Sequence, residues 1–269
     1  MKIHSETAQG GVYDRIYSRG KLMGTQIDTD YNSRTKSDLL DFAMGRYLGF
    51  SPIPFNINIC DFGSGDGIFM NTIHERDFLT LDVFPIEISH EGCKRIVERK
   101  ASNTDFINMR TPVQYNGLNI PFNDHSIGIV LAADVMEHVR DLPVVLNELN
   151  RVLEPGGIFA MNIPLPNFER NYIRYKMSVG DWKTLFKMFK AAFVRKLLLG
   201  SANFQDELGE TRMITDEWIK VLSEHGFRLE DRCLWPEKVI HDGRKIDYTG
   251  QPLSGILILR KIKEVRVEN

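Results

Sequence analysis

Residues 59–70 read ICDFGSGDGIFM. Gly63, Gly65 and Gly67 stand at alternate positions directly after an apolar run, and Asp61 precedes the first of them by two residues. Glycine lacks Cβ, so it takes positive φ readily and lets main chain come close to a bound molecule. Open α/β sheets receive nucleotides at such a turn, placed between a strand and a helix. Asp82 follows Gly63 by 19 residues, at the expected end of the next strand. A carboxylate there can accept hydrogen bonds from both hydroxyls of a ribose. An ordinary tight turn would account for the glycines but not for the acid.

The elements that must hold these residues follow from hydrophobic spacing. Residues 1–35 are polar and glycine-spotted, a lead-in carrying Tyr13 and Tyr17, and 37–48 have helical periodicity. The spacing predicts strands at 56–62, 78–83, 105–109, 126–132 and 158–163. It predicts helices at 67–74, 91–99 and 142–153, the last stopped by Pro155-Gly156-Gly157. A helix at 215–225, capped by Thr215 and ended by Gly226, precedes two late strands at 227–235 and 255–262. Strands alternating with helices mean a mostly parallel sheet covered on both faces. Ligands then bind beyond the carboxyl ends of the strands, where strand order reverses.

Composition narrows the classes. The 269 residues are 42% apolar with a formal charge of -2, enough for a large core and without the basic bias of a nucleic-acid partner. Cys60, Cys93 and Cys233 are widely spaced, which argues against a disulfide framework or a zinc site and suits a cytoplasmic protein. The N-terminal MKIHSETAQGG has no apolar core expected of a signal peptide, and no run is long enough to span a membrane. No His/Asp/Glu group has metal-ligand spacing, so no metal is expected.

Dinucleotide sites prefer GxGxxG, which would need glycine where Ile68 stands. Here the pattern is DxGxGxG, followed by NIPFNDHSIGIVLAADVMEHVRD and ELNRVLEPGGIFAMNIP. In these stretches the sequence resembles the class I S-adenosylmethionine-dependent methyltransferases, of the methyltransferase-11 type. The resemblance covers about 59–166 and, more loosely, 212–262. It implies a Rossmann-like, seven-stranded, mostly parallel sheet with helices on both faces and an inserted helical cap. Residues 1–58 would be a lead-in and lid, 59–166 the S-adenosylmethionine-binding core, 167–212 the cap and 213–269 the rest of the core.

The resemblance also implies roles. Asp61, Gly63 and Gly65, with Ser64, Asp66 and Gly67 on the same turn, would line the methionine end of S-adenosylmethionine. Asp82 would hold the ribose, Val83 would touch the adenine, and Asn116 would accept from the adenine amino group. Ala132 and Ala133 would pass near the methionine portion. Gly128 stands where the family commonly shows aspartate. His138 is the candidate general base, with Glu137 or Asp134 beside it, although Glu137 and His138 could equally brace the following helix. His241, on a late loop, is a second candidate, and Tyr13 and Tyr17 could close over the site. The expected reaction is methyl transfer to a small, sugar-linked or lipid-linked acceptor, on oxygen in preference to nitrogen or carbon. A non-catalytic cofactor-binding module and a nicotinamide oxidoreductase stay open as alternatives.

Within the insertion, residues 181–199 form a basic amphipathic pattern. Trp182, Leu185, Phe186, Phe189, Phe193 and Leu197 share one helical face, and Lys183, Lys187 and Lys190 another. Such a helix can dock on its own domain, cover the pocket, pair with a second copy or make peripheral contact with an anionic membrane.

Overall fold

The computed structural model describes residues 11, 13–14, 29–48, 57–67, 81–102, 109–165, 168–178, 180–199, 213–235, 238–241, 244–247 and 254–262. Helix α1 (Thr29–Leu48) leads into strand β1 (Ile57–Phe62), then β2 (Leu81–Glu87), α2 (His90–Ser102) and the two-residue β3 (Val113–Gln114). Next come β4 (Ile127–Ala133), a 3₁₀ turn at Met136–His138, α3 (Leu142–Val152) and β5 (Leu153–Pro164). Two inserted helices, α4 (Phe168–Ser178) and α5 (Trp182–Leu199), precede α6 (Thr215–Glu224) and β6 (Phe227–Trp235). A hairpin of β7 (Lys238–His241) and β8 (Arg244–Asp247) and the last strand, β9 (Ser254–Lys261), complete the chain order.

Seven strands form one sheet in the order β3-β2-β1-β4-β5-β9-β6. Strands β1 to β5 run parallel, and β9 is antiparallel to both β5 and β6. Strand order reverses at β1, between β2 and β4, so the crevice for a ligand opens beyond the carboxyl end of β1.

Alternation along the strands sends side chains to two cores. Ile129, Leu131 and Ala133 join Leu39, Leu40 and Ala43 of α1 on one face. Val130 and Ala132 join Leu146 and Leu149 of α3 and Trp218 of α6 on the other. Ile127 breaks the alternation and sits with the α3 side, because the β4–β5 register shifts between Ile127 and Ile129. Gly128 occupies that irregularity. A Cβ there would lie 2.8 Å from the Tyr47 hydroxyl of α1, which is hydrogen-bonded to the Glu154 carboxylate. The missing side chain at 128 makes room for α1 against the sheet.

Three expectations need correction, and a fourth lies mostly outside the described residues. Strand β2, described from Leu81 to Glu87, ends later than its spacing suggests: Asn58 pairs with Asp82 and Phe62 with Ile86. Asp82 therefore lies early in the described strand, and Glu87 closes it. Pro85 is tolerated inside β2. Val83 O accepts Arg110 N–H (2.8 Å) and Glu87 O accepts Tyr115 N–H (3.1 Å), so Val83, Pro85 and Glu87 face the β3 side, where no described ladder partner stands opposite Pro85. The strand expected at 105–109 is described only at Met109, which makes a single parallel bridge to Val83. His241 ends a paired strand and not a loop. Helix α6 begins at Thr215, with Ile214 at its N-cap and the Ile214 amide received by Glu217 (2.9 Å).

Candidate functional site

The turn after β1 is built for close approach. Gly63, Gly65 and Gly67 have φ of 70°, 64° and 81°, a region costly for residues with a Cβ. Gly63 N and Ser64 N both donate to Ile86 O (3.0 Å each), which fastens the turn to the end of β2. The buried Ser64 hydroxyl donates to Asp61 O (2.7 Å), so it closes the turn and does not face a ligand. A Cβ on Gly63 would come within 2.5 Å of Val135 Cγ2. Asp66 turns toward α2 instead: its carboxylate binds Arg99 Nη2 and its carbonyl accepts Arg99 Nε, both at 3.0 Å. The Asp61 side chain is buried at the end of β1.

Glu87 is the acid beside this turn. Its Oε2 accepts Gly65 N–H (2.8 Å) and its Oε1 accepts Ser89 N–H (3.0 Å). These two amides fix the carboxylate at the edge of the turn. Asp82 lies five residues back along the strand, roughly 16 Å away at 3.3 Å per residue. There it pairs with Arg110 Nη2 (2.9 Å). The ribose assignment to Asp82 is therefore incompatible with its place at the far end of β2. Val83, its neighbour, is buried in the core and cannot reach an adenine at the carboxyl edge.

An open cleft lies against the turn. It is lined by Tyr13, Gly63, Glu87, Ile88, Tyr115, Gly117, Asp134, Val135, His138, Val139 and Arg140. Of the residues expected from sequence, Gly63, Tyr13, Asp134 and His138 meet here. Asn116 does not: its Oδ1 accepts both Leu118 N–H (3.0 Å) and Asn119 N–H (2.9 Å), which uses the oxygen an adenine would need. Ala132 and Ala133 are buried in the two cores, and the cleft wall at the end of β4 is Asp134 and Val135 instead. Tyr17 lies outside the described residues, and His241 stands on the separate β7–β8 hairpin.

Three local devices set this wall. Asp134 has φ of 54°, unusual for a residue with a side chain. Asn162 of β5 holds it there: Asn162 Oδ1 accepts Asp134 N–H (2.9 Å) and Asn162 Nδ2 donates to Asp134 Oδ1 (2.6 Å). Ser89 caps α2, its Oγ accepting Gly92 N–H (3.0 Å) while donating to Asp14 Oδ1 (2.6 Å). The same Asp14 oxygen accepts Glu91 N–H (3.0 Å), so the segment bearing Tyr13 is tied to the start of α2.

Burial pushes the His138 pKa down from 6.5 to about 4, so its imidazole is neutral at physiological pH. Glu137 is buried behind it, with Oε1 3.9 Å from His138 Nε2, and does not line the cleft. Its assignment as a second catalytic group therefore gives way to a place behind the imidazole. Burial, and then the Glu87 carboxylate, push the Tyr115 hydroxyl above its ordinary range and keep it protonated. Its ring packs on Phe62 at 5.5 Å between centroids. Glu87, Ile88, Tyr115, Val135, Asn162 and Asp14 all escaped the sequence reading.

Residues 60–161 match the family described as Methyltransferase domain. Over 106 residues the chain is 30% identical to demethylmenaquinone methyltransferase of Symbiobacterium thermophilum, covering 39% of this chain and 41% of that one. Over 85 residues it is 34% identical to sterol 24-C-methyltransferase of Gibberella zeae, covering 29% and 22%. The chain thus spans well under half the length of these curated relatives. Among solved structures, the fold matches an S-adenosylmethionine-dependent methyltransferase of Methanosarcina mazei (TM-score 0.51, 15% identity, 78% of this chain and 94% of that one). It also matches geranyl diphosphate methyltransferase (TM-score 0.54, 15% identity, 85% and 77%) and the [4+2]-cyclase SpnF (TM-score 0.54, 13% identity, 84% and 80%). At these identities the structures establish the fold, which also hosts chemistry other than methyl transfer.

Proposed function

We propose that this chain, whose residues 60–161 match the methyltransferase-domain family, transfers a methyl group from S-adenosylmethionine to a hydroxyl of a small, sugar-linked or lipid-linked acceptor. The observation that carries the reading is the positive-φ glycine turn bonded to the Glu87 carboxylate, with Gly63 and Glu87 both on the wall of one open cleft. Support for the donor comes from the positive-φ Gly63 on the cleft wall and from the Glu87 carboxylate, held at the cleft edge by the Gly65 and Ser89 amides. Ile88 and Gly117 are placed to border the adenine, and the turn after β1 with Asp134 and Val135 to border the methionine end.

When bound, the donor supplies an electrophilic methyl on a sulfonium whose departure requires no proton. The chain's own residues then orient the acceptor and manage its proton. His138 Nε2 or Nδ1, neutral and on the cleft wall, takes the hydroxyl proton as the new bond forms. Glu137 stands behind it, where a carboxylate favours the imidazolium that results. Tyr13 covers the cleft and limits water, held by the Asp14 tether.

A second reading is favoured by the low basicity of His138. So weak a base suits an acceptor that is already nucleophilic, such as an acidic hydroxyl or an enolic carbon. Two curated relatives are named for quinone and sterol substrates, which supports a lipid-linked acceptor among the candidates. The test is transfer of radiolabelled methyl from S-adenosylmethionine into fractionated acceptor pools, with mass identification of the product. Label in a hydroxyl-bearing product supports oxygen transfer, and label on carbon supports the second reading. Tight donor binding without label in any pool contradicts both.

A further inference from the structure

The inserted helix α5 does not bury its aromatic face. Trp182, Phe186, Phe189 and Phe193 are 63%, 71%, 60% and 69% exposed, where burial in a core would leave them near zero. They recur at i, i+4, i+7 and i+11, one narrow stripe along the helix. Docking on the rest of the chain uses a different stripe: Leu185 is buried, and Met188 packs on the α1 side of the core. Lys183, Lys187 and Lys190, all exposed, each follow one of these aromatics by a single residue and run beside them as a parallel row. Large contiguous apolar patches on a soluble surface mark a docking site.

Charge says what docks. Residues 168–199 carry eight Lys and Arg against two Asp and Glu, and α5 itself contains no acid. This net +6 sits in a chain of net -2, so the remainder is net -8. An aromatic stripe edged by lysines and lacking acids complements an anionic, half-apolar surface. A second copy pairing isologously would set the lysine rows near each other and is disfavoured by repulsion.

We propose that α5 docks in the plane of an anionic lipid bilayer, its four aromatics entering the headgroup region and its lysines pairing with lipid phosphates. Helix α4 begins four residues after β5 ends at its carboxyl edge, so the α4–α5 unit leaves the sheet on the side where the cleft opens. Docking through α5 holds that side of the molecule at the lipid surface. No described helix is long and apolar enough to cross the membrane, in keeping with an interfacial position.

The test is co-sedimentation of the full chain with vesicles of phosphatidylcholine and phosphatidylglycerol in a three-to-one ratio, and with phosphatidylcholine alone. The expected result is binding to the anionic vesicles only, released by high salt. Replacing Lys183, Lys187 and Lys190 with alanine should weaken it about a hundredfold, each lysine being worth roughly fivefold near such a surface. Replacing Phe186, Phe189 and Phe193 with alanine should weaken it at least about tenfold. These side chains are exposed, so unchanged melting temperatures will show that both variants are folded. Absence of native binding overturns the proposal, as does binding unchanged in either variant. So does a stable dimer, disrupted by the phenylalanine replacements, that ignores vesicles. The readout requires no methyl donor, so its failure leaves the transfer reading standing, and failed transfer leaves the docking result intact.

Discussion

Two residues of the cleft carry most of the chemistry assigned to it, Glu87 and His138. Alanine at His138 should lower kcat by about 10²–10⁴ if the imidazole moves a proton, and by less than about tenfold if it only braces the 3₁₀ turn. Its pH dependence has a definite sign. The folded pKa of about 4 lies below the ordinary 6.5, so between these values the unfolded chain binds a proton that the folded chain does not. Stability contributed at this site therefore falls as pH drops through that window and is constant above it, and the acid limb of kcat should sit near 4. Melting temperatures across the window, compared with those of His138→Gln, check the first point; the variant should lose part of the slope. Gly63→Ala should abolish donor binding, because the added methyl meets Val135 and the positive φ strains any L residue. The glycine turn was legible in the sequence because glycines at alternate positions after a strand have few other uses. Glu87 was not, because β2 runs on through Phe84, Pro85 and Ile86 beyond its expected end at Val83. Asn116 was misread because its oxygen serves its own turn, a local bond that spacing does not reveal.

At the scale of elements, the site depends on connections that pattern alone leaves hidden. The alternation of strands and helices was readable, including the stop of α3 at the Pro-Gly-Gly stretch and the two late strands. The β7–β8 hairpin was passed over although Asp242-Gly243 between two short runs is a hairpin signal. The link from Asp14 to Ser89 and Glu91 spans 75 and 77 residues and could not be inferred from either segment. Asp14→Ala should untie Tyr13 from the cleft and raise the donor Kd several-fold. The α2 cap by Ser89 persists, so loss of helix stability should stay near 1 kcal/mol or below. Donor titration and thermal melting check the two parts. Gly128→Asp drives a side chain into the Tyr47 hydroxyl. It should destabilise by about 1–3 kcal/mol in denaturant unfolding, and Tyr47→Ala should relieve part of that cost when combined with it.

Over the whole molecule, the sequence motifs and the sheet order agree on one crevice, at the reversal between β2, β1 and β4. The methyltransferase-domain match ends at residue 161, within β5, so the inserted α4–α5 pair lies beyond it. That division has a physical counterpart: the matched core supplies the cleft, and the inserted pair supplies the concentrated positive charge and the exposed aromatics. The amphipathic pattern of α5 was visible in sequence, but which stripe meets the core was not, because Leu185 and Phe186 are equally apolar on paper. Packing chose Leu185 and Met188, and left the aromatics outside.

The central claim is that the carboxylate gripping the donor's sugar belongs to Glu87, at the carboxyl end of β2. Calorimetric titration with S-adenosylmethionine tests it most directly, on the native chain, Glu87→Gln and Asp82→Ala, with melting temperatures to establish that each is folded. Loss of a hydrogen bond to a charged group predicts at least about tenfold weaker binding for Glu87→Gln, and affinity within about twofold of native for Asp82→Ala. Native-like affinity in Glu87→Gln, or a tenfold loss in Asp82→Ala, would contradict it.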